Sequence, residues 1–325
     1  MTNVLVVGGA GYIGSHMCMR LQEAGHAVTV LDNLVTGHRA AAQWGEFVQG
    51  AMDDAPLVAE LLRRRRIEVV MHFAASSLVG QSVAQPYDYY RNNVVATLGL
   101  LESMRAAGVD RFIFSSTAAI FGEPKSELID EGHPCRPINP YGKTKLAVEY
   151  MLQDAAAAYG LRAVALRYFN AAGADPGGRI GESHEPETHL IPRLLRKAAG
   201  EALDVQIFGA DYPTRDGSCV RDYVHVCDLA DAHLHALEFT GQHTGFHSFN
   251  LGNGSGYTVF EVIRAAEQVI GRSLDIPVGP RRAGDPAVLV ASSRKAHDVL
   301  GWRPRHTGIH GIVADAWRWH QQPGF

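Results

Sequence analysis

Val4-Leu-Val-Val-Gly-Gly-Ala-Gly-Tyr-Ile-Gly14 is an apolar run that breaks into a glycine turn and opens a helix expected over about 11–24. The pattern Gly9-x-Gly11-x-x-Gly14 is common by chance, but between a strand and a helix it has a physical use. Glycines permit the tight turn, and the exposed N–H groups and dipole at the helix start favour the charge of a pyrophosphate. A second apolar run, Ala27 to Leu31, ends in Asp32-Asn33. A carboxylate there accepts ribose hydroxyls and repels an added 2′-phosphate, so the cofactor expected is NAD rather than NADP; only the nearby His38 and Arg39 argue the other way.

Further apolar runs follow at Val69–Phe73, Arg111–Ser115 and Arg162–Tyr168, separated by helical patterns. Continuous apolar strands alternating with helices predict an α/β fold, a doubly wound parallel sheet covered on both faces. After about Asn170 the text turns to Gly/Pro-rich loops, where ligand contacts tend to sit, and Asp222–Glu238 reads as a strand and helix able to pack back onto the first part. The chain of 325 residues is 46% hydrophobic and 20% charged with a net charge of -4, which is globular composition without a basic surface for nucleic acid. Arg63 to Arg66 reads as a solvated helix end. Cys18, Cys135, Cys219 and Cys227 lack CxxC spacing and read as reduced thiols in a cytoplasm. The N-terminal apolar run is too short and too soon broken by glycine for a membrane span or signal peptide. His233-x-His235 sits on a helical stretch where the two rings face different ways, so no metal site is expected.

Tyr141-Gly-Lys-Thr-Lys145 places Tyr141 and Lys145 on one face at the start of a helix. A free phenol, with a pKa of about 10, is a poor base at neutral pH, and a neighbouring ammonium together with an oxidised nicotinamide lowers it. Tyr141 then serves as a base for an alcohol proton while hydride leaves the same carbon. The strand ending Phe112-Ile-Phe-Ser-Ser-Thr117 delivers Thr117 to the carboxyl edge of the sheet, where ligands bind.

These segments, with His72-Phe-Ala-Ala75, Arg167-Tyr-Phe-Asn170, Phe208-Gly-Ala-Asp-Tyr-Pro-Thr214, Val220-Arg-Asp-Tyr-Val-His225, Asn250-Leu-Gly252 and Arg281-Arg-Ala-Gly-Asp285, resemble the UDP-glucose 4-epimerases in order along essentially the whole chain. The resemblance implies a Rossmann NAD-binding domain over 1–173, with about 222–243 packing back onto it, and a UDP-sugar-binding domain over 174–325. It implies that Tyr141 takes the O4 proton, that NAD⁺ takes the C4 hydride, and that the 4-keto sugar turns before hydride returns to its other face. Catalytic roles fall on Tyr141, Lys145 and Thr117, whose hydroxyl shares a hydrogen bond with O4.

The cofactor contacts it implies are Gly8, Gly11, Tyr12, Ile13 and Gly14; Asp32, Asn33, Thr36 and Gly37; Met52; Phe73, Ala74, Ala75 and Ser77; Asn92; Ser115, Tyr141 and Lys145; and Tyr168 and Phe169. Those for UDP-sugar are Thr117 and Tyr141, Asn170, His189 and Leu190, Gln206 and Phe208, Arg221, Arg282, Asp285 and Leu289. Guanidinium groups clamp phosphate oxygens in pairs, and an acid reads ribose hydroxyls. Leu289 stands where bulk limits the C2 substituent.

Three positions depart from the best-known bacterial pattern: Ala51 replaces an Asp that reads adenine, leaving Asp53 nearby; Ser77 replaces a lysine; and His189 replaces an asparagine. Dehydratases of the same fold need carboxylates after the strand threonine, and Ala118-Ala119 cannot move protons; a decarboxylase lacks its glutamate likewise. A non-enzymatic NAD sensor has no need of Tyr141 and Lys145. UDP-pentoses and UDP-N-acetylhexosamines stay open as alternative substrates, and a homodimer through a helix bundle is implied.

Overall fold

The computed structural model describes residues 1–282 and 285–325. Through residue 168 the chain alternates strands and helices: β1 (Asn3–Val7), α1 (Tyr12–Glu23), β2 (Ala27–Asp32), β3 (Glu46–Gln49), α2 (Ala55–Arg64), β4 (Val69–His72), α3 (Val79–Ala84), α4 (Pro86–Tyr90), α5 (Ala96–Ala107), β5 (Arg111–Thr117), α6 (Pro140–Tyr159) and β6 (Arg162–Tyr168). Shorter elements follow: β7 (Asn170–Ala172), α7 (Leu190–Ala198), β8 (Ile207–Phe208), β9 (Val220–Arg221), β10 (Tyr223–His225), α8 (Val226–Gln242), β11 (Phe246–Leu251), β12 (Tyr257–Thr258), α9 (Val259–Ile270), β13 (Val278–Gly279), β14 (Val288–Leu289) and α10 (Ile309–Gln321).

Seven parallel strands form one sheet in the order β11-β6-β5-β4-β1-β2-β3. Side chains alternate across it. Val4 and Val6 of β1 enter a core with Met17 and Leu21 of α1 and Leu229 and Ala236 of α8. Leu5 and Val7 enter the opposite core with Val58, Leu100 and Val148 of α2, α5 and α6. The strand order reverses between β1 and β4, and the carboxyl ends of the strands at such a point are where sheets of this kind bind ligands.

The run Asp222–Glu238 becomes β10 and α8: β10 pairs in parallel with β7, while α8 lies on α1. Trp302 also reaches the first core, donating its indole N–H to the Asp228 carbonyl at 2.8 Å. Helices α7, α9 and α10 share a separate core around Leu194, Ala266 and Ile312. The sheets β12-β9-β14 and β13-β8 carry the loops beside it. Arg63 and Arg64 lie in the last turn of α2, where Arg64 pairs with Glu60 at 2.9 Å on the surface. Among the described residues no helix is long and apolar enough to cross a membrane.

Candidate active site

The glycine turn is a close backbone crossing. Gly8 has φ +83°, and a Cβ there would lie 2.5 Å from the Ala74 amide nitrogen, so Phe73 and Ala74 rest directly on the turn. At Gly14 a Cβ would lie 2.1 Å from the Gly8 carbonyl oxygen, which seats α1 on the same turn. Helix α1 begins at Gly11 with no side-chain cap and no acidic residue in its first turn. Its first N–H groups are therefore left for an external anion, and the cradle fits a dinucleotide diphosphate.

Asp32, 7% exposed, accepts from Ala10 N at 2.9 Å and Leu34 N at 2.8 Å. It pins the turn while each carboxylate oxygen keeps a lone pair for a ribose hydroxyl. Asn33 turns to Val35 N, and the Thr36-Gly37 loop folds onto Ala10 through His38 N at 2.9 Å. Met52 is buried with its sulfur 3.2 Å from His72 Nε2. Tyr12 donates to the Gly173 carbonyl at 2.7 Å, and Ile13 packs on the first core. Asn92 donates to Ser76 Oγ and Asn93 Oδ1, whereas Ser77 is exposed at the surface.

Helix α6 is capped by Asn139, which accepts from Gly142 N at 2.8 Å, and Pro140 fixes its first turn. Tyr141 thus stands at the helix mouth, with the Thr117 side chain at the end of β5 near enough to its phenol to favour the ionised form. Burial pushes Tyr141 up to about 12, and the neighbouring Thr117 hydroxyl opposes the rise. Lys145, 2% exposed, donates to the Ser115 carbonyl at 2.7 Å, with its ammonium 4.7 Å over the Phe114 ring and 5.9 Å from the Tyr141 ring. Burial pulls Lys145 down to about 7, with Glu149 pulling the other way. Ser115 also hydrogen-bonds the Tyr168 hydroxyl.

Glu149 is a residue that the sequence reading does not single out. It accepts from Ser116 Oγ at 2.5 Å and from Arg167 Nε at 3.0 Å and Nη2 at 2.5 Å, all of it buried. The signal was present: Tyr141, Lys145 and Glu149 share one helix face at intervals of four, and Arg167 opens the Arg167-Tyr-Phe-Asn170 segment.

On the opposite side, Arg282 lies 5.1 Å over the Phe208 ring and meets Asp285 at 3.1 Å through two guanidinium nitrogens. Arg221 reaches the same carboxylate at 3.7 Å and donates to the Pro286 carbonyl at 2.9 Å. Phe208, Arg221, Arg282 and Asp285 are thereby brought together; Ala283 and Gly284 of that segment lie outside the described residues. Asn170 stands opposite Tyr223 in the β7–β10 pairing, and the Gln206 amide lies against Gly279. Leu289 pairs with Arg221 across β14 and β9 and packs with Ala118, Leu146 and Phe169, beside the segments that carry Thr117 and Tyr141. His189 precedes Leu190 at the mouth of α7, but its Nδ1 is held by Glu182. The His233 Nδ1 faces the Leu229 carbonyl inside the core.

Residues 4–252 match the model of the NAD dependent epimerase/dehydratase family. The chain is 52% identical over 319 residues to a UDP-glucose 4-epimerase of Halalkalibacterium halodurans, covering 98% of this chain and 96% of that one. It superposes on the crystal structure of UDP-glucose 4-epimerase from Brucella ovis in complex with NAD with a TM-score of 0.94 at 48% identity, covering 98% of each chain. The enzyme from Bifidobacterium longum, in complex with NAD+ and UDP, gives a TM-score of 0.93 at 37% identity, covering 99% of each chain.

Proposed function

The chain belongs to the NAD dependent epimerase/dehydratase family, and from that premise we propose that it interconverts UDP-glucose and UDP-galactose by oxidising and re-reducing C4 of the hexose. The observation that carries the reading is Thr117, Tyr141 and Lys145 gathered at the carboxyl edge of the sheet beside a dinucleotide cradle. NAD⁺ supplies the hydride acceptor and a positive ring that brings the phenol into a useful range.

Tyr141 removes the O4 proton and returns it after the sugar has turned, and Thr117 orients O4 against the phenol. Lys145 holds ribose hydroxyls and, while protonated, favours the phenolate. Ala118 and Ala119 follow Thr117, so the second acid and base that a dehydration needs are missing at that place. Arg221 and Arg282 clamp the diphosphate, Asp285 reads the ribose and Phe208 lies against uracil, with Asn170, Leu190 and Gln206 around them. His189, held through Nδ1, offers Nε2 to the phosphates. Leu289 walls the C2 side of the sugar.

We assign NAD binding to 1–173 with 222–243, and UDP-sugar binding to 174–325. The exposed Val83 and Tyr87 of α3 and α4, Leu98 of α5 and Tyr150 of α6 support a homodimer through these helices. Free cysteines support a reducing cytoplasm as its compartment.

The test is incubation with a panel of UDP-sugars followed by chromatographic separation of epimers. Conversion of UDP-galactose and UDP-glucose is expected. Turnover confined to N-acetylated or pentose sugars moves the assignment to those substrates, and no turnover of any sugar overturns it.

A further inference from the structure

The loop between β7 and α7 gathers two carboxylates and two imidazoles, of which the sequence reading names only His189. Glu182, His184, Glu187 and His189 each offer one donor atom, and the four atoms lie within 4.8 Å of one another. His184 Nδ1 is 3.2 Å from Glu182 Oε1 and 3.7 Å from Glu187 Oε2, and His189 Nδ1 is 3.9 Å from Glu187 Oε1. Four donors at the usual zinc distances stand about 3.3 Å apart along each edge of a tetrahedron, and the widest edge here, at most 4.8 Å, has to contract by about 1.5 Å to reach it, a shift within the reach of side-chain rotation.

Both carboxylates are buried, and among the described residues neither is paired with an arginine or lysine. Two such charges facing each other need a compensating positive charge, which either the two facing imidazoles, when protonated, or a divalent cation in place of their protons can supply.

We propose that Glu182, His184, Glu187 and His189 form a structural site for Zn²⁺ or a transition metal of like preference. Two carboxylates balance a divalent charge while the imidazoles stay neutral. Mixed nitrogen and oxygen donors favour zinc over Mg²⁺ or Ca²⁺, which take six or more oxygens. Four protein ligands leave no open position, so the metal holds structure and takes no part in chemistry.

The surroundings already fix the ligands. Glu187 Oε1 accepts from the N–H groups of Thr188 and His189 at 2.7 and 2.8 Å, Trp319 donates to the Glu182 carbonyl at 3.2 Å, and the His184 ring stands edge-on to Tyr12 at 6.3 Å. Coordination would fasten this loop between the cofactor turn and the mouth of α7, and leave the His189 Nε2 proton pointing outward. The site stands whether or not the substrate is a UDP-sugar.

The test uses the full-length protein, dialysed against EDTA and titrated with Zn²⁺ against a chromogenic chelator, then with Co²⁺ for its visible spectrum. Expected are about one zinc per chain with a Kd below about 1 µM, and the intense bands of four-coordinate cobalt. Glu182→Gln and His184→Ala should each weaken binding about 100-fold or more, while His310→Ala on the surface leaves it unchanged. Wild-type binding no tighter than in the two site variants, or the weak bands of six-coordinate cobalt, would overturn the proposal. Because the stoichiometry and spectrum are read on the wild type, a variant that fails to fold leaves the decision intact.

Discussion

Tyr141 and Lys145 are pushed in opposite directions by the same cause. Burial raises the phenol to about 12 and lowers the ammonium to about 7, because each change disfavours a charged form. The consequence for Lys145 has a definite sign. Between about 7 and its ordinary 10.5 the unfolded chain binds a proton that the folded chain lacks, so this group makes stability rise with pH across that window. In urea unfolding of nucleotide-free protein, the advantage of Lys145→Met over wild type should shrink by roughly 2 kcal/mol between pH 7 and 9. A pH-independent difference would place the lysine proton elsewhere.

For the phenol, Tyr141→Phe should leave UDP binding nearly intact and cut turnover by about 100-fold or more, the scale of general acid–base catalysis. Near-normal turnover removes Tyr141 from the mechanism. Leu289 belongs to the same scale: an acetamido group desolvated against its aliphatic wall without a partner loses about 1–3 kcal/mol. UDP-glucose and UDP-galactose should therefore exceed their N-acetyl counterparts by about tenfold or more in kcat/KM, and Leu289→Ser should narrow the gap. Equal specificity constants in the wild type, or no change on opening the wall, would put Leu289 outside the C2 pocket.

Helix α6 and strand β6 are joined by Arg167 and Glu149, a buried bidentate pair that shares its helix with Tyr141 and Lys145. Removing one partner strands the other charge, at a cost of about 3–5 kcal/mol. Arg167→Met should lower unfolding stability by that amount in urea titrations, and a change under about 1 kcal/mol would show the pair to be solvated. The sequence reading reaches the elements with continuous apolar text: Val4–Val7, Ala27–Leu31, Arg111–Ser115 and Arg162–Tyr168 all become strands, and Val69–Phe73 does so up to His72. Both edge strands escape it. Glu46-Phe-Val-Gln49 is polar at each end, and Phe246-His-Ser-Phe-Asn-Leu251 mixes polar residues into a strand that only its β6 pairing makes extended. Spacing made Tyr141 and Lys145 legible and runs on to Glu149, whose role shows only with its buried Arg167 partner; Glu182, His184 and Glu187 lie in a segment without periodicity.

At the scale of the whole molecule, α8 and Trp302 return to the first core, so the two halves of the chain share a packed body. A homodimer through α3 to α6 predicts a species of twice the 35.3 kDa chain in sedimentation, and Leu98→Glu with Tyr150→Glu should yield monomers. A monomeric wild type would leave that apolar face unexplained.

In the proposed reaction hydride leaves C4 and comes back to the same carbon within one enzyme. UDP-galactose labelled with deuterium at C4 tests it most directly. Incubated with the purified protein and no added nucleotide, it should become UDP-glucose with the label kept at C4 and no net oxidation. Loss of the label to solvent, or conversion only with stoichiometric reduction of added NAD⁺, would contradict the account.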